Sequence, residues 1–191
     1  MLQIFNVSEL KLFMVMLGCT PEGRNTEQHD IFFGIGESLK DLVQQMNLFW
    51  NGVKLHIDAW REITMIDRYT INVIEKQESS NIDQQQKLFF INLGGYKQNE
   101  FEEYHYKILT IAKDKGEAVR KSKQSAFYKH FGFKGAESHI DDKYGVDVDD
   151  VYEINDVLSI ELKNKYSLLL IADENKAADE LHIGYVRLEK L

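Results

Sequence analysis

Three residues stand out as able to do chemistry: His29, His56 and Asp58. His56 and Asp58 lie two positions apart in the alternating stretch Lys54–Glu62, which predicts a strand with both side chains on one face. His29 lies in the first turn of a predicted helix that precedes this strand. Two imidazoles and a carboxylate that meet could bind a metal ion or act as acid and base.

The same residues also fit a structural role, in which a hydrogen-bond network ties the start of the helix to the strand. No stronger metal motif, such as His-Glu-x-x-His, is present to support the chemical interpretation. Both alternatives therefore stay open. Gly34 and Gly36 lie inside the predicted helix, so they form neither a dinucleotide fingerprint nor a phosphate loop. The cofactor is unknown.

Two more candidates precede the predicted helix. Arg24 could hold a phosphate or carboxylate at the first turn of this helix, because a helix N-terminus attracts anions. Arg24, His29 and Trp60 form the predicted ligand-binding set, and the alternative for Arg24 is an ordinary solvent-facing side chain. Cys19 follows a buried strand at a glycine and is a candidate nucleophile, with His29 as its base.

The elements that would position these residues follow from the apolar pattern. Lys11–Leu17 is apolar nearly throughout, which predicts a strand buried on both faces. An apolar stripe at three- and four-residue spacing predicts a helix over residues 26–47. Lys54–Glu62 and Tyr69–Ile74 predict two further strands that pair as a hairpin. The first unit is therefore predicted to be β-α-β-β.

This unit is repeated in the chain. Residues 11–50 align without gaps to residues 87–126 with nine identities, among them Glu27 with Glu103 and His29 with His105. An insertion around residues 128–135 then brings the second His-Ile-Asp, at 139–141, onto residues 56–58.

The predicted fold class is α+β, with two divergent β-α-β-β repeats. The first repeat spans 9–76, a linker spans 77–86, and the second repeat spans 87–191. The second repeat carries an acidic insertion around 147–164 and ends in a C-terminal strand. Because each repeat alone has a small core, we expect a pseudo-twofold arrangement of mixed β-sheet with helices on one face.

Composition argues against two classes of partner. The chain has 31 acidic and 23 basic residues and a net charge of −8, so it lacks the basic field that nucleic-acid binding needs. No apolar run approaches the roughly 20 residues of a membrane helix. A single cysteine fits a reducing, cytoplasmic location. A small molecule, a protein partner or a second copy of the chain, as a homodimer, stays open.

Three stretches carry a family resemblance: KLFMVMLGC at 11–19, GRNTEQHDIFFGIGESL at 23–39 and HIDAW at 56–60. They resemble an uncharacterised bacterial family, domain of unknown function 1543, whose members carry one or two copies of the domain. The resemblance implies a tandem two-copy architecture and a bacterial origin, but no activity. The second repeat lacks counterparts of Arg24, Gly34 and Trp60.

The sequence leaves two functions open. The first is a non-catalytic tandem domain that binds a small ligand or a protein. The alternative is a hydrolase or lyase, with or without a metal, that acts through His29, His56 and Asp58. The enzyme hypothesis requires these three side chains to meet at a cleft open to solvent.

Overall fold

The computed structural model describes residues 9–77, 84–96, 99–124, 147–174 and 178–191. The chain divides into two compact units, of which unit 1 is Met1–Asp83 with Leu158–Leu191 and unit 2 is Gln84–Val157. The chain is α+β, as predicted. No helix that the structure describes is long and apolar enough to cross a membrane.

The elements of unit 1 come from both ends of the chain. The first group is β1 (Lys11–Cys19), β2 (Gln28–Gly36), a 3-10 helix (Leu39–Leu42), α1 (Val43–Phe49), β3 (His56–Ile63), β4 (Met65–Ile66) and β5 (Tyr69–Glu75). Unit 2 contributes β6 (Lys87–Tyr96), β7 (Glu103–Ala112), α2 (Lys115–Lys123), β8 (Asp147–Glu153) and α3 (Ile154–Val157). Unit 1 then resumes with α4 (Ile160–Lys165), β9 (Tyr166–Ala172), β10 (His182–Arg187) and a 3-10 helix (Leu188–Lys190).

A four-stranded sheet in the order β10-β3-β1-β2 is the frame of unit 1. All strand pairs among the described residues are antiparallel, so a mixed sheet is not found there. The 3-10 helix at 39–42 and α1 follow β2 and cover one face. Their buried side chains Leu39, Leu42 and Met46 pack with Phe13 and Val15 of β1.

The predicted helix over residues 26–47 is wrong in its first half, where β2 pairs with β1 along its whole length. Residues 32–36 are all buried, so the stretch has no polar helical face, and its aromatic and β-branched residues favour a strand. A Cβ on Gly34 would lie 2.7 Å from the ring of Phe32, and one on Gly36 would lie 3.0 Å from Leu42. The helix begins only after Ser38, whose N–H and O–H donate to Asp41.

The strand β3 carries a bulge that decides which side chains share a face. Ala59 pairs with Met16 and Ile57 pairs with Leu17, so Asp58 is the extra residue. His56 therefore lies on one face of the sheet and Trp60 on the other. The simple two-residue alternation that was predicted for Lys54–Glu62 does not continue through the bulge.

The predicted hairpin between the strands near residues 54–62 and 69–74 is also wrong. β3 pairs with β1 and β10, whereas β5 belongs to a separate three-stranded sheet in the order β4-β5-β9. In that sheet Tyr69 of β5 pairs with Ala172 of β9. The strand order in unit 1 is thus β-β-α-β, not β-α-β-β.

Unit 2 has a three-stranded sheet in the order β7-β6-β8. Its registers parallel those of unit 1: Lys87 pairs with Ala112 as Lys11 pairs with Gly36. The irregularity between β6 and β8 falls at residues 92 and 93, which align with residues 16 and 17 of β1. The α2 helix begins at Asp114, whose side chain accepts a hydrogen bond from the Glu117 N–H.

The C-terminal part of the predicted second repeat is divided between the units. Residues 147–164, predicted as an acidic insertion, contain β8, the third strand of unit 2, and two short helices. The predicted C-terminal strand is present as β10, and it pairs with β3 of unit 1. The second His-Ile-Asp, at 139–141, lies outside the described residues, as does most of the predicted linker.

Candidate functional site

Gly18 lies at the centre of the candidate site, at one end of the four-stranded sheet. It pairs with His29 of β2 on one side and with His56 of β3 on the other. Paired residues on neighbouring strands present their side chains on the same face. The two histidines are therefore on one face with only a glycine between them, although His29 lies on a strand and not on the predicted helix.

Four side chains meet over Gly18. The Nε2 atom of His29 is 3.2 Å from Oδ2 of Asp58 and 3.5 Å from Oε2 of Glu27. The Nε2 atom of His56 is 3.3 Å from the same Asp58 oxygen and 2.9 Å from Oε1 of Glu27. The structure thus brings together the three predicted residues and adds Glu27; we call these four residues the strand-end cluster.

Glu27 was missed from the predicted site. It lies two positions before His29, immediately before β2, and its carboxylate reaches both imidazoles. A signal was available in the sequence, because Glu27 and His29 recur together as Glu103 and His105.

The strand-end cluster is open on one side and closed on the other. The side chains of Glu27 and His29 are 42% and 44% exposed, whereas those of Asp58 and His56 are 22% and 9% exposed. The ring of Tyr185 on β10 lies 4.6 Å from the His56 ring, centroid to centroid. The site is therefore a recess with a buried floor at His56.

The close contacts leave two buried atoms without a hydrogen bond. Nε2 of His56 and Oδ2 of Asp58 are both buried, and neither has a hydrogen-bond partner. The 2.9 Å approach of His56 Nε2 to Glu27 lacks the alignment that a hydrogen bond requires. Buried polar groups are nearly always satisfied in folded proteins, so this pair is unusual.

The charge of the strand-end cluster is negative while its imidazoles are neutral, since it holds two carboxylates. No lysine or arginine among the described residues pairs with Glu27 or Asp58. In the part of the chain that the structure describes, no group of three or more His, Cys, Asp or Glu side chains is arranged to hold a metal ion.

Arg24 and Trp60 lie apart from the strand-end cluster. Arg24 is exposed in the loop before β2, where its N–H donates to the carbonyl oxygen of Pro21, so no helix N-terminus is present to form the predicted anion site. Trp60 is on the opposite face, where it stacks on His182 at 3.8 Å and packs against Phe13. Of the predicted ligand-binding set, only His29 is in the cluster.

Cys19 is poorly suited to be a nucleophile. Its side chain is 1% exposed and belongs to the core on the face opposite Gly18. Burial, and to a smaller extent the Glu27 carboxylate, raise the pKa of the Cys19 thiol above its ordinary value. An activated thiol needs the opposite shift, because the thiolate is the reactive form.

Unit 2 preserves part of the same arrangement. Gly94 of β6 pairs with His105 on one side, as Gly18 pairs with His29. On its other side Gly94 pairs with Asp147, so an aspartate stands at the strand position that corresponds to His56. His105 Nε2 is 4.0 Å from Oε2 of Glu103.

Comparisons with known proteins support the fold and part of the resemblance. The chain is similar to a solved structure described as the crystal structure of a protein Il1583 from Idiomarina loihiensis. The two are 22% identical, with a TM-score of 0.61, over 94% of this chain and 97% of that one, which shows a shared fold. No curated protein matches the chain. Residues 24–73, which include all four residues of the strand-end cluster, match the family described as Domain of Unknown Function (DUF1543).

Proposed function

We propose that the protein is a tandem-domain binding protein whose first unit holds a small polar ligand at the strand-end cluster. The observation that carries this proposal is the pair of buried atoms, His56 Nε2 and Asp58 Oδ2, that lack hydrogen-bond partners. A buried polar atom without a partner costs about 1–3 kcal/mol. A ligand that bonds to these atoms would recover that free energy.

The exposure of the strand-end cluster favours a small ligand over a protein surface. Its floor, at His56, is nearly closed to solvent, and Glu27 and His29 form a partly exposed rim. A protein partner would need a broad, accessible patch, whereas a small group can enter a recess and be surrounded by it.

The tandem arrangement rests on the matching strand registers of the two units. The pairs Lys11–Glu62 and Lys87–Glu153 also correspond, with Nζ to carboxylate distances of 2.9 and 2.7 Å. We infer that the chain holds two diverged copies of one β-β-α-β unit, and that the second copy has Asp147 at the strand position of His56. One cysteine, buried and unpaired, supports a cytoplasmic location.

A second candidate function is acid–base catalysis, as in a hydrolase or lyase. The observation that favours it is the 3.2 Å contact between His29 Nε2 and Asp58 Oδ2 at the open side of the recess. A carboxylate beside a solvent-accessible imidazole is a common acid–base pair. The metal-dependent form of this hypothesis would take its ligands from the same side chains.

The proposal is tested by a thermal-shift screen of the full chain against small polar metabolites. A ligand that binds only the folded protein raises the melting temperature, and at about 100 times its Kd it adds about 2.7 kcal/mol of stability. Gly18→Ala should abolish the response, because its Cβ would lie 2.4 Å from His56 Nε2. Glu27→Gln, at an exposed position, is a second variant that changes the rim and not the floor.

Gly95→Ala is the matched control for this screen. It is also a strand glycine, and a Cβ built there meets nothing within 4 Å. It should keep the response of the wild type. The proposal fails if no compound stabilises the wild type, or if Gly18→Ala and Glu27→Gln respond as strongly as the wild type does.

A further inference from the structure

We propose that the group bound at the strand-end cluster is an organic cation that donates hydrogen bonds, namely a primary ammonium or a guanidinium group. This inference rests on the proposed function, since it names the ligand class of the same site. It follows from the charge of the recess, from the kind of atoms left without partners, and from the wall that Tyr185 supplies.

The negative charge of the recess favours a positively charged ligand. Asp58 and Glu27 contribute two carboxylates, and their contacts with nitrogen are with the imidazoles of His29 and His56. No described lysine or arginine pairs with these carboxylates, so no fixed positive charge compensates them. The chain as a whole carries a net charge of −8, which also favours the approach of cations.

The two atoms without hydrogen-bond partners favour a ligand that donates hydrogen bonds. Asp58 Oδ2 is a carboxylate oxygen and can only accept. His56 Nε2 also accepts when the ring proton is on Nδ1, and it is 3.3 Å from Asp58 Oδ2. Two acceptors at that separation fit one donor group with several N–H bonds, as an ammonium or a guanidinium has. The His56 side chain is 9% exposed, so a donor bound there is largely shielded from competing water.

Tyr185 completes the site with an aromatic wall. Its ring is tilted by 35° to the His56 ring at a centroid distance of 4.6 Å, and the residue is 62% exposed. A cation near such a ring is attracted by its negative face. The position of Tyr185 on β10 therefore places an exposed aromatic ring beside the buried His56 end of the negatively charged recess.

A metal ion is the competing cation at the strand-end cluster. Two histidines, an aspartate and a glutamate are common metal ligands. A ligand that brings its own hydrogen-bond donors does not need a closed coordination shell.

The test is an NMR titration of the full chain, without a histidine tag, following the imidazole signals of His29 and His56. The probes are n-butylammonium and butylguanidinium, with 1-butanol as the neutral control. Both cations should shift the two histidine signals saturably, and 1-butanol should not. Asp58→Asn should weaken cation binding by about tenfold or more, because it removes a charge-assisted hydrogen bond.

Asp30→Asn is the matched control, since it removes the same charge from an exposed residue of β2. Asp30 accepts from the neighbouring Ile31 N–H and takes no part in the strand-end cluster. It should leave the affinity for both cations unchanged. If Asp58→Asn fails to fold, Glu27→Gln, at the exposed rim, should weaken binding in its place.

The outcomes separate the ligand class from the proposed function. If zinc or manganese(II) shifts the histidine signals and the two organic cations do not, the class is wrong and the binding site stands. The same conclusion follows if only neutral or anionic compounds from the thermal-shift screen bind. If no cation, metal or library compound acts at the site, the proposed function fails as well.

Discussion

Gly18 and His56 pair across β1 and β3, and the imidazole of His56 occupies the space that a side chain at residue 18 would need. A Cβ built on Gly18 would lie 2.4 Å from Nε2 of His56 and 2.6 Å from Oδ2 of Asp58. The neighbouring atoms belong to buried or half-buried side chains that have little room to move. The glycine is therefore a requirement of the strand-end cluster, not of the backbone conformation.

The first prediction concerns stability at this position. Gly18→Ala should lower the free energy of unfolding by about 1–3 kcal/mol, as overpacking in a core does. Gly95→Ala should leave it unchanged or raise it by up to about 1 kcal/mol, because alanine restricts the unfolded chain. Urea denaturation of the two variants measures both effects. Equal stabilities for the two variants would contradict the crowded geometry at Gly18.

The second prediction separates Trp60 from the site. Trp60 lies on the face opposite His56 and stacks on His182, with an angle of 9° between the rings. Trp60→Phe should therefore lower the free energy of unfolding by about 1 kcal/mol, the order expected for a lost aromatic stack. It should not change ligand binding at the strand-end cluster. A loss of binding without a loss of stability would return Trp60 to the ligand-binding set.

The contact of His29 and His56 with Asp58 arises differently from the one that the sequence suggested. The sequence would bring these side chains together if the start of a helix met the polar face of the strand, but the helix assigned to His29 was wrong. The strand that carries His29 pairs along β1, and cross-strand pairing replaces the expected helix-to-strand contact. Either arrangement places residue 29 near the start of β3.

The errors have separate physical causes. Ile31, Ile35, Leu39 and Leu42 fall at helical spacing, but the first two lie in a strand and the last two in a 3-10 helix. Gly34 and Gly36 were placed inside the predicted helix, but they lie in β2, where neighbouring side chains leave little room for a Cβ. The bulge at Asp58 has no local sequence signal, since it depends on pairing with β1.

The third prediction concerns the reactivity of Cys19. It is the single cysteine of the chain, so every thiol signal belongs to it. Because it is buried and its pKa is raised, the native protein should react with a disulfide reagent far more slowly at neutral pH than the urea-unfolded protein does. Fast labelling of the folded protein would contradict the buried position.

The raised pKa of Cys19 also has a consequence for stability at alkaline pH. The folded protein keeps the thiol proton at pH values where the unfolded chain has lost it, so ionisation favours the unfolded state. Stability should therefore fall as the pH rises above the ordinary thiol pKa and towards the folded one. Cys19→Ala should show a smaller fall over the same pH range. Identical pH dependences for wild type and variant would exclude this contribution.

The fourth prediction concerns Asp179, which ties the segment before β10 to the corner after β3. Its Oδ1 accepts from Thr64 N–H at 3.0 Å, from Thr64 Oγ1 at 2.7 Å and from Met65 N–H at 3.1 Å. Asp179→Ala removes all three bonds and should lower the free energy of unfolding of unit 1 by about 1–3 kcal/mol. Asp179→Asn retains an acceptor oxygen and should cost less.

Urea denaturation of these two variants distinguishes the contribution of the Asp179 hydrogen bonds to stability from that of the Asp179 charge. If the hydrogen bonds are the cause, asparagine recovers most of the stability that alanine loses. If instead the charge of Asp179 matters through Arg61, whose pKa is lowered by burial and raised by Asp179, the two variants should lose stability equally.

Because β10 pairs with β3 beside His56, Asp179→Ala should also loosen the Tyr185 wall of the recess and weaken cation binding. Full cation affinity in Asp179→Ala would show that β10 holds its place without this contact.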